Sequence, residues 1–179
     1  MRISTLPGRF ALAIAVASAA LAAPAAAQPR EYGFAEIAAD LAYGFCPLFL
    51  AAQFPLTSPQ LAERGFGTAI MTEPHPQFGE VKLVMMKRTE GDIAFGGASG
   101  KLCTVIVRGS GRSAALARLR ETMSYTGLDF KPVPTPAVPG GVAVQAFKAA
   151  TEGQFLNVQL IEGPESEPVS VMQMFATNE

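Results

Sequence analysis

The chain has 179 residues, with 14 Lys and Arg against 15 Asp and Glu, one His, two Cys and no Trp. This near-neutral balance excludes the basic field that general binding to nucleic acid or to an anionic membrane surface requires. The lack of Trp weakens the case for a sugar-stacking site, and the length suits one ordinary domain once any leader is set aside.

The first segment reads as a leader. Arg2 and Arg9 form a basic stretch, Phe10 to Ala23 is an uncharged run, and Ala25-Ala26-Ala27 gives an A-x-A cleavage pattern before Gln28. The apolar run holds about 14 residues, short of the roughly 20 that span a bilayer as a helix. No cysteine lies near the cleavage point, which excludes lipidation there. The expectation is a cleavable signal peptide over 1–27 and one exported domain over 28–179, periplasmic or secreted. Removing Arg2 and Arg9 from the 14 basic residues leaves 12 against 15 acidic, a net charge of −3 for the mature chain. After Gln28 no apolar run is long enough to cross a membrane.

From Phe34 the apolar residues Phe34, Ile37, Ala38, Leu41, Phe45, Leu48 and Phe49 recur at helical spacing. Pro47 lacks an amide proton and predicts a kink or a split close to Cys46. Ser58 as N-cap and Pro59 at the first helical position predict a short helix ending at Gly65. Extended runs are predicted over 67–72, 81–87, 92–96 and 102–108. In the last, Cys103, Val105 and Val107 share one face, so the cysteine can point into the core. Cys46 and Cys103 are the only cysteines, and an even count in an oxidising compartment predicts a disulfide. That bond would clamp the first helix to the sheet.

A helix is predicted over 113–125, with Leu116, Leu119 and Met123 on one stripe and Gly127 as its stop. Four more extended runs follow, over 128–133, 142–147, 155–161 and 169–175. The prolines from Pro132 to Pro139 make the first junction stiff, extended and exposed. Few helices among so many strands predict an α+β fold, with N-terminal helices packed on an antiparallel sheet. The other face, carrying Lys82, Gln145, Asn157 and Gln159, would then be solvated or meet a partner.

A shift of 62 residues lays Gly65 on Gly127, Pro74 on Pro136 and Gly79 on Gly141. It also lays Thr89-Glu90-Gly91 on Thr151-Glu152-Gly153, and Val107 on Val169. This pattern suggests a duplicated helix-plus-four-strand unit over 58–108 and 113–176. The groove between the halves would be the natural binding surface.

Candidate chemistry is sparse. His75, in Glu73-Pro74-His75-Pro76, is read as an exposed loop residue; a catalytic reading would make it a general base with Glu73 or Asp92 beside it. Gly96-Gly97-Ala98-Ser99-Gly100-Lys101 fails as a phosphate loop. Phe95 stands where the first glycine is needed, and Leu102 follows the lysine. It reads instead as a hairpin turn. Gly109, Ser110, Gly111 and Arg112 lead into a helix and could bind a carboxylate or phosphate with backbone amides and guanidinium. Methionines at 71, 85, 86, 123, 172 and 174 raise a soft-metal reading, because thioethers are copper(I) ligands, but methionine is also an ordinary core filler. No metal-ligand or cofactor motif stands out.

The leading expectation is a non-enzymatic exported binding or accessory protein of the bacterial cell envelope, with a protein or small-molecule partner. The rivals are a small hydrolase using His75 and a copper-binding protein.

Overall fold

The computed structural model describes residues 32–135 and 142–178. The leader expectation over 1–27 and the end of the proline-rich segment, with Pro136, Pro139 and Gly141, lie outside these residues.

Helical structure begins with α1 (Phe34–Asp40), continues as a π turn over Leu41–Phe45 and passes into α2 (Cys46–Leu50). The wider turn is where Pro47 makes itself felt. A proline ring clashes with the carbonyl four residues back, and here the Cys46 amide donates to Leu41 O, five residues back. Pro47 then occupies the first turn of α2, where no amide proton is needed.

The end of α2 is closed tightly. Gln53 N donates to Leu48 O at 2.8 Å and Ala52 N to Phe49 O at 3.0 Å, with Ala52 at φ 55°. This left-handed position normally belongs to glycine. It turns the chain toward α3 (Pro59–Glu63), whose Ser58 side chain accepts a hydrogen bond from Gln60 N.

The strands are β1 (Met71–His75), β2 (Gly79–Arg88), β3 (Gly91–Ala98) and β4 (Leu102–Arg108), then β5 (Lys131–Val133), β6 (Ala143–Thr151), β7 (Gln154–Glu162) and β8 (Val169–Thr177). Between β4 and β5 runs α4 (Arg112–Met123). All eight strands form one antiparallel sheet in the order β1-β2-β3-β4-β8-β7-β6-β5. The fold is mixed α+β.

The first strand differs most from its prediction. It covers Met71–His75 rather than 67–72, and Phe66 makes only an isolated bridge with Met86. Pro74 is tolerated because β1 is the sheet's edge, where one side of the ladder has no partner. His75 therefore ends a strand and is not a free loop residue.

Cys46 and Cys103 form a disulfide, with Cα atoms 5.4 Å apart, that joins α2 to β4. One buried apolar cluster collects Ile37, Leu41, Phe45 and Phe49 from the helical segment and Leu116 and Leu119 from α4. From the strands it takes Val84, Phe95, Val105, Leu160 and Met172. Phe95 is the aromatic centre, edge-on to Phe49 at 5.8 Å and to Phe54 at 6.1 Å. Arg64 holds α3 against this region. Its guanidinium donates twice to Asp40 Oδ2, at 2.8 and 2.6 Å, and lies over the rings of Tyr32 and Phe45.

The register divides the polar strand residues differently from the expected single face. Lys82 pairs with Gly97, which pairs with Cys103, so Lys82 lies on the disulfide's side of the sheet. Gln145, opposite Leu160, lies on that side too and accepts a bond from Arg120 of α4 at 3.0 Å. Asn157 and Gln159 point the other way.

Candidate functional site

A cleft of about 650 Å³ opens at the hairpin end of the first four strands. Its apolar wall comes from Phe49 of α2, from Phe54, Pro55 and Leu56 after it, and from Ile70 and Phe78 on either side of β1. Ile70, 45% exposed, lines this opening. The polar rim is Thr57, Glu80, Lys82, Ser99 and Lys101.

Local sequence explains why the cleft stays open. The β3–β4 hairpin presents Gly97, Ala98 and Ser99 to it, so the floor carries almost no side chain. Gly97 has φ 141°, and a Cβ there would sit 2.1 Å from Leu102 O; only glycine fits. Gly100 N donates to Phe49 O at 3.3 Å, which ties the hairpin to the end of α2. The Gly96–Lys101 stretch is thus a structured wall with a lysine at its tip. Lys82 Nζ lies 3.8 Å from Glu80 Oε1, both side chains being more than half exposed.

His75 is held in place by its own hairpin. Its Nδ1 accepts the amides of Gln77 and Phe78, both at 3.3 Å, and Phe78 stacks between His75 at 5.1 Å and Phe175 at 5.8 Å. On a flat sheet β2 and β8 would be about 14 Å apart, three strand spacings; this contact therefore draws the hairpin over the face. With the Nδ1 lone pair accepting these amides, the neutral ring carries its proton on Nε2, so a general-base role would require breaking these bonds. The shallow hollow at His75, about 280 Å³, is lined by Thr72, Glu73, Pro74, Gly79 and Glu80, and no serine lines it. Asp92 is remote, because His75 is level with Gly79 and Asp92 with Lys87. Eight strand residues separate those levels, about 26 Å. The pairing of His75 with Asp92 is therefore not formed.

The Gly109–Arg112 turn is closely engaged with its own chain. Gly111 N donates to Glu90 O at 2.8 Å, Ser110 Oγ to the same carbonyl at 3.3 Å, and Arg112 N to Gly109 O at 3.3 Å. Arg112 Nη1 reaches Glu162 Oε1 at 3.4 Å. The neighbouring Glu90 carboxyl is held below the usual carboxylate range, chiefly by the 2.8 Å bond from Thr89 Oγ1.

Met86, Met123, Met172 and Met174 are buried in the apolar cluster, where they fill the core. Among the described residues no group of three or more His, Cys, Asp and Glu side chains could hold a metal ion. No helix among them is long and apolar enough to cross a membrane. The seam between the two sheet halves is a continuous ladder from Cys103–Met174 to Arg108–Val169.

Sequence reasoning missed the cleft because its residues are scattered along the chain and meet only after folding. Ile70, exposed beside a strand, and the side-chain-poor run from Gly96 to Gly100 were the available signals. No family model, curated protein or solved structure matches the chain.

Proposed function

We propose that the chain is an exported, non-enzymatic binding or accessory protein of the bacterial cell envelope, and that the cleft between Phe54, Ile70 and Lys101 is its binding site. The observation that carries this reading is the cleft itself: about 650 Å³, mostly apolar, with a few polar groups at the rim. Ligand sites have this size and composition. The Cys46–Cys103 disulfide supports export, since such bonds persist in oxidising compartments. The leader-like sequence over 1–27 points the same way.

The architecture in this proposal is a duplicated helix-plus-four-strand unit with its N-terminal helices packed on the sheet. Its support is the mirrored strand order on either side of β4 and β8. The two tight hairpins also correspond, since Arg88 pairs with Gly91 and Thr151 with Gln154. That correspondence needs a shift of 63 residues, one more than the 62 that aligns the Thr-Glu-Gly triplets.

The test is expression with the native N-terminus in a Gram-negative host, followed by native mass spectrometry of the periplasmic fraction. The proposal predicts a chain beginning at Gln28 with a small-molecule adduct, retained in His75→Ala. Loss of the adduct in His75→Ala would move the site to the histidine. A cytoplasmic chain beginning at Met1 would remove the export part of the reading.

A further inference from the structure

Building on the cleft as the binding site, we infer that its ligand is a single-chain alkyl carboxylate, with the head group at Lys82 and Lys101 and the chain along Phe54 and Ile70. Charge decides the head group. The rim has two ammonium groups and one carboxylate, Glu80, so it is net positive in a chain whose mature charge is negative. Glu80 reaches only Lys82, and loosely, at 3.8 Å. Among the described residues no carboxylate lies within salt-bridge distance of Lys101.

Chemistry and volume decide the body. The inner wall of Phe49, Phe54, Leu56, Ile70 and Phe78 contributes no polar side-chain atom, so it selects by apolar contact alone. A polar or sugar-like body would leave its own groups unpaired there. A volume of about 650 Å³ falls in the range of small-molecule sites. The floor at Gly97 carries no side chain because glycine is obligatory there, and Lys82 lies across the ladder from it.

The experiment is an amide-shift titration of the oxidised, exported protein with straight-chain alkanoates below their micelle-forming concentrations. Alkanols and alkylammonium ions of matched length are titrated alongside. Shifts are expected at Leu56, Ile70, Gly97 and Lys101. Affinity should rise about fourfold per added methylene until the cleft is full and then level off. The carboxylate should bind about tenfold tighter than the matched alcohol. Combining Lys82→Gln with Lys101→Gln should erase that preference while leaving the alcohol unchanged. Shifts at these positions with no preference for carboxylate, or with preference for the ammonium ion, would overturn the ligand class and leave the cleft standing. Saturable binding that shifts other residues, or no binding by any of the three series, would overturn the site and the ligand together.

Discussion

The two halves of the sheet each carry a hollow beside a helical segment, yet the two hollows differ in kind. In the first half the cleft of about 650 Å³ has an aromatic and aliphatic wall, a bare glycine floor and two lysines at the rim. In the second half a hollow of about 450 Å³ lies between the end of α4 and β6, with Arg120, Asp129 and Ser124 beside Met123, Phe130 and Phe147. There Arg120 is committed to Gln145. The difference comes from what braces each half. The first has the disulfide, the Phe45–Phe49–Phe54–Phe95 cluster and the Arg64 clamp. The second has one helix with a short apolar stripe. A heavily braced frame suits a preformed cleft, because less conformational freedom has to be lost on binding.

Loss of the brace should have the largest effect. Replacing Cys46 and Cys103 together by alanine should cost about 4 kcal/mol on the chain-entropy account of a loop of this length. Denaturant unfolding of the oxidised protein and the double variant measures it, and cleft affinity should fall as well. Arg64→Ala should cost about 2 kcal/mol, from the lost bonds to Asp40 and the lost stacking on Tyr32 and Phe45. An unchanged denaturation midpoint would show that α3 is held by other contacts.

Smaller effects sharpen the same comparison. Ala52 sits at φ 55° where the chain leaves α2 for the cleft wall, so Ala52→Gly should stabilise by about 1 kcal/mol. A destabilised variant would show that the position is not strained. The smallest effect concerns Tyr43, whose buried hydroxyl has no hydrogen-bond partner among the described residues and whose pKa is pushed up by burial. A raised folded pKa gives stability that is complete below the ordinary tyrosine value of about 10 and is lost as pH rises beyond it. Tyr43→Phe should therefore leave stability at pH 7 unchanged or slightly improved and flatten its decline above pH 10. Unfolding followed across that alkaline range compares the two slopes.

Much of the fold was legible because it depends on local signals. Ser58-Pro59 marked a helix start, and the alternation of Cys103, Val105 and Val107 put the cysteine on the face where its partner lies. What was missed depends on register. A one-residue choice decides which face a strand residue takes, and only the pairing of Lys82 with Gly97 shows that this lysine belongs to the cleft side. His75 was misplaced for a related reason. Prolines at 74 and 76 read as loop, but an edge strand accommodates proline. The cleft assembles residues from 49 to 101 in sequence, and no local pattern announces such a meeting.

The most direct measurement of the central claim sets the two hollows against each other in one experiment. Native mass spectra of the wild type, Ile70→Arg and Phe130→Arg, each expressed with its own N-terminus, are compared for a small-molecule adduct. The account predicts an adduct on the wild type and on Phe130→Arg, absent from Ile70→Arg, with all three proteins folded by circular dichroism. An adduct that survives Ile70→Arg and disappears in Phe130→Arg would place binding in the second half and contradict the account.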